Sequence, residues 1–373
     1  MRLTTPALTL ATAAALLAAV PLLQAQPTPF AIRNVRIFPG DPAKTIARGT
    51  VVVSDGKIAA EGVNVPIPLQ ATVIDGTGKT LLPGLINGRI HMSDSSTARG
   101  AMPLEQAAIY GVTTLLEMAT ANPDDYRNFK KRINANEFPF GADLFTAVLG
   151  ATVPGGFGNG SQKFTITTPE EARGWVDARL AQGSDYIKRF SQDGTGHNRP
   201  VPTLSDETIA ALIAAAQARG VVAVAHTLRQ ARAERAIAAG IDGLVDITLY
   251  DAPDADFGQF AAAHHIFYST NIVSYAPPAV KVELATDADL APYMPSYVIE
   301  QLKTSRAFPD AHHEYSIAAF KQLHAAHVKI VCGTDIGEPY APLLHVELDL
   351  MVKDGGMTPA EAWPPPPPPT PTT

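Results

Sequence analysis

Ionisable side chains stand at or near the carboxyl ends of several strands that this sequence predicts. On the first strand, Arg89 and His91 are two residues apart, so an extended backbone points both side chains to one face. The later strands supply four more such residues: Lys188, His226, Asp246 and Asp335. Imidazole and carboxylate groups bind divalent metals and transfer protons. One such group alone is typical of a hydrogen-bonded buried residue, but several together require a metal or a pairing network, because burying charge is costly.

The segments that position these residues alternate between short apolar runs and Ala-rich amphipathic stretches from Leu85 onwards, as βα units require. Two predicted helices, 205–219 and 228–239, have start signals at Ser205 and Thr227. The pattern predicts an α/β fold, a (β/α)8 TIM-type barrel, in which active sites lie at the carboxyl ends of the strands. The predicted strands are residues 85–92, 112–118, 143–148, 185–190, 221–226, 243–247, 266–270 and 328–333.

Four regions follow one another along the chain. Residues 1–25 are apolar, with Arg2 as their only charge, and predict a secretory signal peptide cleaved near Ala25. Residues 26–82 contain short strands separated by glycine turns and predict a small antiparallel, β-sandwich-like domain. The barrel then occupies residues 83–363, and the proline-rich residues 364–373 predict an extended, disordered tail.

Composition narrows the class of protein. The 373 residues carry a formal net charge of -7 and are 46% hydrophobic, which permits a large core and argues against an electrostatic nucleic-acid binder. The one cysteine, Cys332, excludes an internal disulfide and a multi-cysteine zinc site, so any metal would be held by other residue types. No segment after the signal is long and apolar enough to span a membrane, and an exported protein, periplasmic or extracellular, is predicted.

Two segments between strands are candidates for substrate contact. Residues 150–160 contain five glycines and follow the third strand, at the catalytic face of a barrel. A flexible loop is predicted there rather than a phosphate-binding loop, because no helix start with Lys and Ser or Thr comes after it. The segment 275–305 is longer than an ordinary βα connection and predicts a lid or flanking loop over the mouth.

An ordered set of motifs carries a family resemblance. The stretch 74–76, Ile-Asp-Gly, with Leu-Leu-Pro-Gly-Leu-Ile-Asn-Gly-Arg-Ile-His at 81–91, is similar to the opening of the amidohydrolase superfamily, close to its imidazolonepropionase-like and prolidase-like branch. That branch has a Pro-Gly-Leu-Ile-Asp stretch that ends in His-x-His. The similarity covers nearly all of 30–363 and implies a (β/α)8 barrel with a small β-sandwich. Its later motifs lie in residues 185–190, 221–226, 240–246, 333–335 and 345–348.

The resemblance also implies a chemistry. Members of this branch hold one or two divalent ions, typically zinc, and a metal-bound water attacks the carbonyl carbon of an amide or related bond. The ligands are the His-x-His pair, a lysine carboxylated by carbon dioxide, two later histidines and a final aspartate that moves protons. In this chain the matching residues are His91 for the second histidine of the pair, Lys188 for the lysine, His226 for the third-position histidine and Asp335 for the catalytic aspartate.

Two positions depart from that pattern, since Arg89 replaces the first histidine and Asp246 replaces the last. Arginine has no lone pair to donate and would repel a cation, whereas a carboxylate is an acceptable zinc ligand. One ion held by His226, Asp246 and a carboxylated Lys188 is therefore one alternative. The other is a metal-free pocket in which Arg89 pairs with Asp246 or Asp335. Arg89, together with Tyr186 and His345, is also a candidate for lining the substrate pocket.

Two functions of different classes follow. The first is an exported metal-dependent amidohydrolase that cleaves a C–N bond of a small molecule, such as a dipeptide, an N-acyl amino acid or a cyclic amide. The second is a catalytically silent barrel that binds a small molecule or a partner. Family members continue beyond the helix start at 358–362, where this chain turns to polyproline. That difference predicts a truncated small sheet with an exposed edge, lower stability and association into a homo-oligomer.

Overall fold

The structure is a computed structural model that describes residues 28–92, 102–119, 123–158, 164–194, 200–304, 308–335 and 341–363. The predicted signal peptide and proline-rich tail lie outside these residues. The backbone divides into two compact units, with the boundary between Pro83 and Gly84.

The first unit is a mixed five-stranded sheet. Its strands are β1 (Phe30–Ile37), β2 (Ile46–Ser54), β3 (Lys57–Gly62), β4 (Thr72–Asp75) and β5 (Thr80–Leu81). Strands β1 and β2 and strands β2 and β3 pair antiparallel, whereas β4 and β5 both pair parallel to β1. The predicted wholly antiparallel sheet is therefore wrong in part, because the chain after β3 returns to the start of β1 before it forms β4. Asp55 and Gly56 both have positive φ and form the tight turn between β2 and β3.

The second unit alternates parallel strands with helices. Its strands are β6 (Leu85–Ile90), β7 (Val112–Glu117), β8 (Asp143–Thr146), β9 (Gly150–Ala151), β10 (Ile187–Phe190), β11 (Ala223–His226), β12 (Gly243–Leu244), β13 (Phe267–Ser269) and β14 (Lys329–Val331). Its helices are α1 (Met102–Ile109), α2 (Pro123–Asn134), α3 (Ala172–Ala181), α4 (Asp206–Gln217), α5 (Gln230–Ala238), α6 (Phe257–Ala263), α7 (Pro278–Thr286), α8 (Ser296–Thr304), α9 (Asp310–Ala325), α10 (Pro342–Lys353) and α11 (Pro359–Ala362). Parallel α/β architecture is thus confirmed.

The parallel strands form two sheets rather than one closed barrel. Strands β6, β7 and β8 form one sheet, and the other has the order β14-β13-β12-β11-β10-β9. The break falls inside the predicted third strand, because Val148 adopts a left-handed backbone with φ 57° between β8 and β9. Backbone hydrogen bonds connect the sheets at both of their edges: Gly88 N–H donates to the Cys332 carbonyl at 2.7 Å, and Asp185 N–H donates to the Thr146 carbonyl at 2.7 Å.

The helices pack apolar faces onto these sheets. Helix α4 begins after Ser205, whose side chain accepts from the Thr208 N–H at 3.2 Å, as the sequence predicts. Helix α5 begins after Arg229 rather than after Thr227, so the predicted start signal there is wrong. The Thr227 hydroxyl instead donates to the Arg229 carbonyl at 3.4 Å.

The segment predicted as a lid or flanking loop is largely helical. It contains α7, the 3-10 turn Ala291–Tyr293 and α8. Side chains from this segment form a small core with Leu343 of α10, which explains why it folds as helices: these are Ala285, Met294, Val298 and Leu302.

In the part of the chain that the structure describes, none of the helices has the length and apolarity needed to cross a membrane.

Candidate functional site

The ionisable residues gather at the carboxyl ends of the parallel strands. Arg89 is the fifth residue of β6, His226 ends β11, Asp246 comes two residues after β12, and Asp335 follows β14. The backbone N–H of Asp335 donates to the Arg89 carbonyl at 3.0 Å, as does that of Thr334 at 3.2 Å. Asp335 adopts a left-handed backbone with φ 48°, which is uncommon outside glycine and directs its carboxylate toward Arg89.

Arg89 lies at the centre of the cluster. Its Nη2 is 3.1 Å from Asp246 Oδ1 and its Nε is 2.8 Å from Asp335 Oδ1. Its Nη2 also lies 3.4 Å from His226 Nδ1. Only 3% of the Arg89 side chain is exposed. Burial lowers the pKa of the guanidinium, but the negative charges of Asp246 and Asp335 raise it by more than burial lowers it. The pKa of Arg89 therefore lies above its usual value, and the group stays charged.

Both carboxylate oxygens of Asp246 are occupied by protein partners. Oδ2 lies 2.5 Å from His226 Nδ1, and Oδ1 accepts from the Asn271 amide and the Tyr275 hydroxyl, each at 3.0 Å. Burial raises the pKa of Asp246, but the Arg89 guanidinium and His226 lower it more, so the net shift is downward. Asp246 is therefore held in its ionised form by its neighbours.

Asp335 joins His91 to the cluster. His91 Nε2 lies 3.2 Å from the same Asp335 oxygen that faces Arg89, and His91 Nδ1 lies 3.1 Å from the Ala119 carbonyl. Burial opposes ionisation of Asp335, but Arg89 and His91 hold the pKa of this carboxyl well below its usual range. Burial lowers the pKa of His91. With 33% of its side chain exposed, His91 is the group of this cluster that faces solvent most.

Lys188 lies beside the cluster and pairs with the backbone. Its Nζ donates to the Met118 carbonyl at 2.6 Å and sits 4.7 Å from the centre of the Phe190 ring. Burial and the nearby Arg89 charge lower the pKa of Lys188 to about 7. A large fraction of its amine is thus neutral at physiological pH.

The other two candidates for the substrate pocket have backbone partners elsewhere. Tyr186 is buried and its hydroxyl donates to the Glu117 carbonyl at 2.6 Å. His345 is exposed on α10, and its Nε2 lies 2.8 Å from the Tyr110 carbonyl. Neither contact involves Arg89, His226 or the two aspartates.

Three residues that sequence reasoning missed complete the cluster. Asn271 and Tyr275 hydrogen-bond Asp246, and the Gln192 Oε1 lies 2.6 Å from His226 Nε2. Asn271 comes directly after the predicted seventh strand, so its position at a carboxyl end was available as a signal. Gln192 stands likewise two residues after β10, whereas nothing in the local sequence distinguishes Tyr275 from a core tyrosine.

The glycine-rich segment covers His226 with an aromatic side chain. The Phe157 ring stacks on the His226 imidazole at 5.0 Å and 3° between planes, and Phe190 meets the same imidazole at 5.6 Å and 62°. A Cβ atom at Gly150 or Gly158 would lie 2.4 Å from the Phe190 ring. At these two positions glycine therefore permits close packing, which the predicted flexible loop did not anticipate. Residues 159 and 160 lie outside the described residues.

This arrangement does not fit a divalent ion. Among the described residues, no group of three or more His, Cys, Asp and Glu side chains is placed to hold one. The predicted set of His226, Asp246 and a carboxylated Lys188 is engaged otherwise: His226 and Asp246 face each other, and the Lys188 amine donates to a backbone carbonyl. Arg89 stands at hydrogen-bond distance from the very oxygens that an ion would bind, and its positive charge repels a cation.

Parallel strands that alternate with helices, with ionisable groups at the carboxyl ends of those strands, are the arrangement in which α/β enzymes place their active sites. The amidohydrolase family model matches residues 80–363, so the chain belongs to the amidohydrolase family. This confirms the family resemblance seen in the sequence.

Similar proteins include L-hydantoinase of Paenarthrobacter aurescens, which is 29% identical over 96 residues, 25% of this chain and 20% of that protein. Dihydroorotase of Mycobacterium tuberculosis is 39% identical over 84 residues, 20% of this chain and 18% of that protein. The matched stretches span about a fifth of the length of these curated relatives.

Solved structures are similar over a much larger share of the chain. A Xaa-Pro dipeptidase with bound methionine in its active site has a TM-score of 0.71 and 19% identity, with 90% of this chain and 86% of that chain covered. Ochratoxinase of A. niger has a TM-score of 0.67 and 22% identity, with 90% and 82% covered. These likenesses show the fold.

Proposed function

We propose that this chain hydrolyses a C–N bond of a small molecule at the cluster around Arg89. The family supports this chemistry. The observation that supports its location at this site is the hydrogen-bonded network around Arg89. Groups from the carboxyl ends of β6, β11, β12 and β14 meet within hydrogen-bond distance of one another. This is the position at which parallel α/β enzymes bind their substrates.

The side chains of the cluster supply distinct parts of such a site. Arg89 Nη1 is buried and has no hydrogen-bond partner among the described residues, so it offers a charged donor for a carbonyl or carboxylate oxygen. His91 is partly exposed, and its ring nitrogens face the Asp335 carboxylate and the Ala119 carbonyl, so the imidazole accepts a proton from water only after it releases one of these two contacts. Asp335, which stays ionised, holds that imidazole in place.

Substrate classes are tested directly with the purified full-length protein. Hydantoins, dihydroorotate, dipeptides and N-acyl amino acids are incubated with it, and release of the amine or ring-opened acid is followed by mass spectrometry. Hydrolysis of at least one class, abolished by Asp335→Asn and retained in His264→Ala at an exposed histidine, is expected. Parallel reactions with a chelator and with added zinc test the metal dependence and the zinc ion that the family resemblance predicts.

A catalytically silent pocket is the second candidate, and the complete pairing of Asp246 favours it. Both oxygens of this carboxylate already contact protein groups of the described residues, and the low pKa of Asp335 makes it a weak base. In that case, compounds from the same panel would raise the unfolding temperature of the protein without being turned over.

Three further features belong to this proposal. We propose that the two parallel sheets represent a (β/α)8 barrel, that residues 1–25 direct export and are removed, and that a homo-oligomer forms. Mass spectrometry of the protein recovered from the periplasm or medium of an expressing cell tests the cleavage near Ala25. Sedimentation velocity on the same sample tests the homo-oligomer.

A further inference from the structure

We infer that the positively charged guanidinium of Arg89 occupies the position at which a divalent metal ion would otherwise bind. Its replacement by histidine should convert the cluster into a zinc site. The inference concerns the site of the proposed function but does not depend on hydrolysis, because it is read out as bound metal.

The first argument is the number of electron-pair donors around one guanidinium. Asp246 Oδ1, Asp335 Oδ1 and His226 Nδ1 all lie within 3.4 Å of an Arg89 nitrogen, and His91 Nε2 lies 3.2 Å from the same Asp335 oxygen. Two carboxylates and two imidazoles are the types of ligand that zinc prefers when cysteine is absent. The Arg89 guanidinium thus occupies the space between side chains of the types that bind zinc.

The second argument is position. Zinc binds carboxylate oxygen at roughly 2.0–2.2 Å and imidazole nitrogen at roughly 2.0–2.1 Å. The Arg89 nitrogens already lie 2.8 Å and 3.1 Å from the two aspartate oxygens, so an ion on those oxygens would lie against the guanidinium. Since arginine keeps its proton at any accessible pH, this repulsion cannot be relieved by titration.

The third argument is charge. Arg89 faces two carboxylates that are almost completely buried, with 0% of Asp246 and 14% of Asp335 exposed. When the guanidinium is removed, those two charges lose their main compensation, and a buried unpaired charge is strongly unfavourable. A doubly charged cation would supply that compensation. Arg89→His therefore leaves two buried carboxylates that a bound cation would stabilise, and it adds an imidazole ligand.

The test measures zinc by mass spectrometry after equilibrium dialysis at micromolar free zinc, together with the unfolding temperature. The unaltered protein should retain almost no zinc, and Arg89→His should retain about one equivalent and unfold at a higher temperature with zinc than without. The matched control is Arg179→His, which places the same residue at another buried arginine, on α3, and should bind no more zinc than the unaltered protein.

Two results would overturn the inference. One is stoichiometric zinc in the unaltered protein, in which Arg89 is present. The other is a folded Arg89→His protein that holds no more zinc than Arg179→His. Should Arg89→His alone not fold, the double variant Arg89→His/Asp246→Asn keeps the net charge of the cluster unchanged and is expected to bind one equivalent through His91, His226, Asp335 and the added imidazole.

Discussion

The backbone N–H of Gly88 donates a 2.7 Å hydrogen bond to the carbonyl oxygen of Cys332. This bond joins the first strand of one parallel sheet, β6, to the end of the last strand of the other, β14. Because Arg89 follows Gly88 and Asp335 lies three residues after Cys332, this bond, together with that from the Asp335 N–H to the Arg89 carbonyl, holds side by side the two segments that carry the guanidinium and its carboxylate partner. We refer to this contact as the β6–β14 junction.

We expect Gly88→Ala to destabilise the protein by about 1–3 kcal/mol, the usual cost of overpacking. A Cβ atom there would lie 2.4 Å from a Val331 methyl carbon and 3.1 Å from the Cys332 carbonyl oxygen, so the junction would have to open. Urea unfolding measures the change. Gly174→Ala is the control, because a Cβ atom at this helical position meets nothing within 4 Å and should stabilise by roughly 0.5–1 kcal/mol. Equal stability of Gly88→Ala and the unaltered protein would contradict the tight junction.

The ion pair of Arg89 and Asp246 predicts strong coupling between the two positions. Arg89→Met should lower the free energy of unfolding by about 3–5 kcal/mol, because it leaves buried carboxylates without their cation. Adding Asp246→Asn to that variant should restore part of the loss, since it removes one of the unpaired charges. A double-mutant cycle by urea unfolding measures the coupling, expected at roughly 0.5–3 kcal/mol. Additive effects would show that the pair does not stabilise the fold.

Glu347 predicts a pH dependence of stability. Its carboxylate accepts from the N–H groups of Ile272 at 2.8 Å and Val273 at 2.7 Å, yet burial raises its pKa from 4.5 to about 7. A raised carboxyl pKa means that the folded protein binds a proton more tightly than the unfolded chain does. The resulting stability is therefore complete below about pH 4.5 and is lost as the pH rises through about 7.

The variant Glu347→Gln removes this titration. It should be destabilised at every pH, since its amide NH2 cannot accept from a backbone N–H, but the gap to the unaltered protein should narrow by on the order of 3 kcal/mol between pH 4.5 and 7.5. Urea titrations across that range measure the gap. A gap that is constant or widens with pH would show that Glu347 is ionised throughout.

The Phe157 ring stacks on the His226 imidazole, so we expect it to limit the access of reagents to that imidazole. Phe157→Ala should remove the stacked ring, lower stability by about 0.5–1.5 kcal/mol from the lost stacking, and speed the carbethoxylation of His226 by diethylpyrocarbonate. Peptide mass spectrometry follows the modification at this one histidine. Phe140→Ala is the control, because Phe140 is 81% exposed and its loss should leave the rate unchanged. The same rate in both variants would mean that Phe157 does not shield the imidazole.

The sequence predicts the elements of the second unit well, because each buried parallel strand is a short apolar run bounded by turn residues. All eight predicted strands overlap observed ones. The split of the third strand could not be predicted, because a left-handed backbone at Val148 is set by tertiary contacts and opposes the local preference of a β-branched residue. The helices α7 and α8 were missed because their burial depends on Leu343, which is distant in sequence.

The sequence predicts those residues of the candidate site that lie at or near the ends of strands. Strand ends explain why Arg89, His226, Asp246 and Asp335 meet. The partners of those residues follow from three-dimensional proximity instead: Tyr275 reaches Asp246 across 29 positions in the sequence, and Phe157 reaches His226 from the glycine-rich segment. Residue type alone does not distinguish such an aromatic side chain from one of the core.

Chemical modification of the Cys332 thiol can report when the β6–β14 junction opens. It is the one cysteine of the chain and is buried, and burial raises the pKa of its thiol well above the ordinary value. Since the thiolate is the reactive form, a disulfide reagent can modify it only after the strand end separates from its surroundings. The labelling rate of the native protein therefore measures the free energy of that local separation, without a dye or an engineered residue.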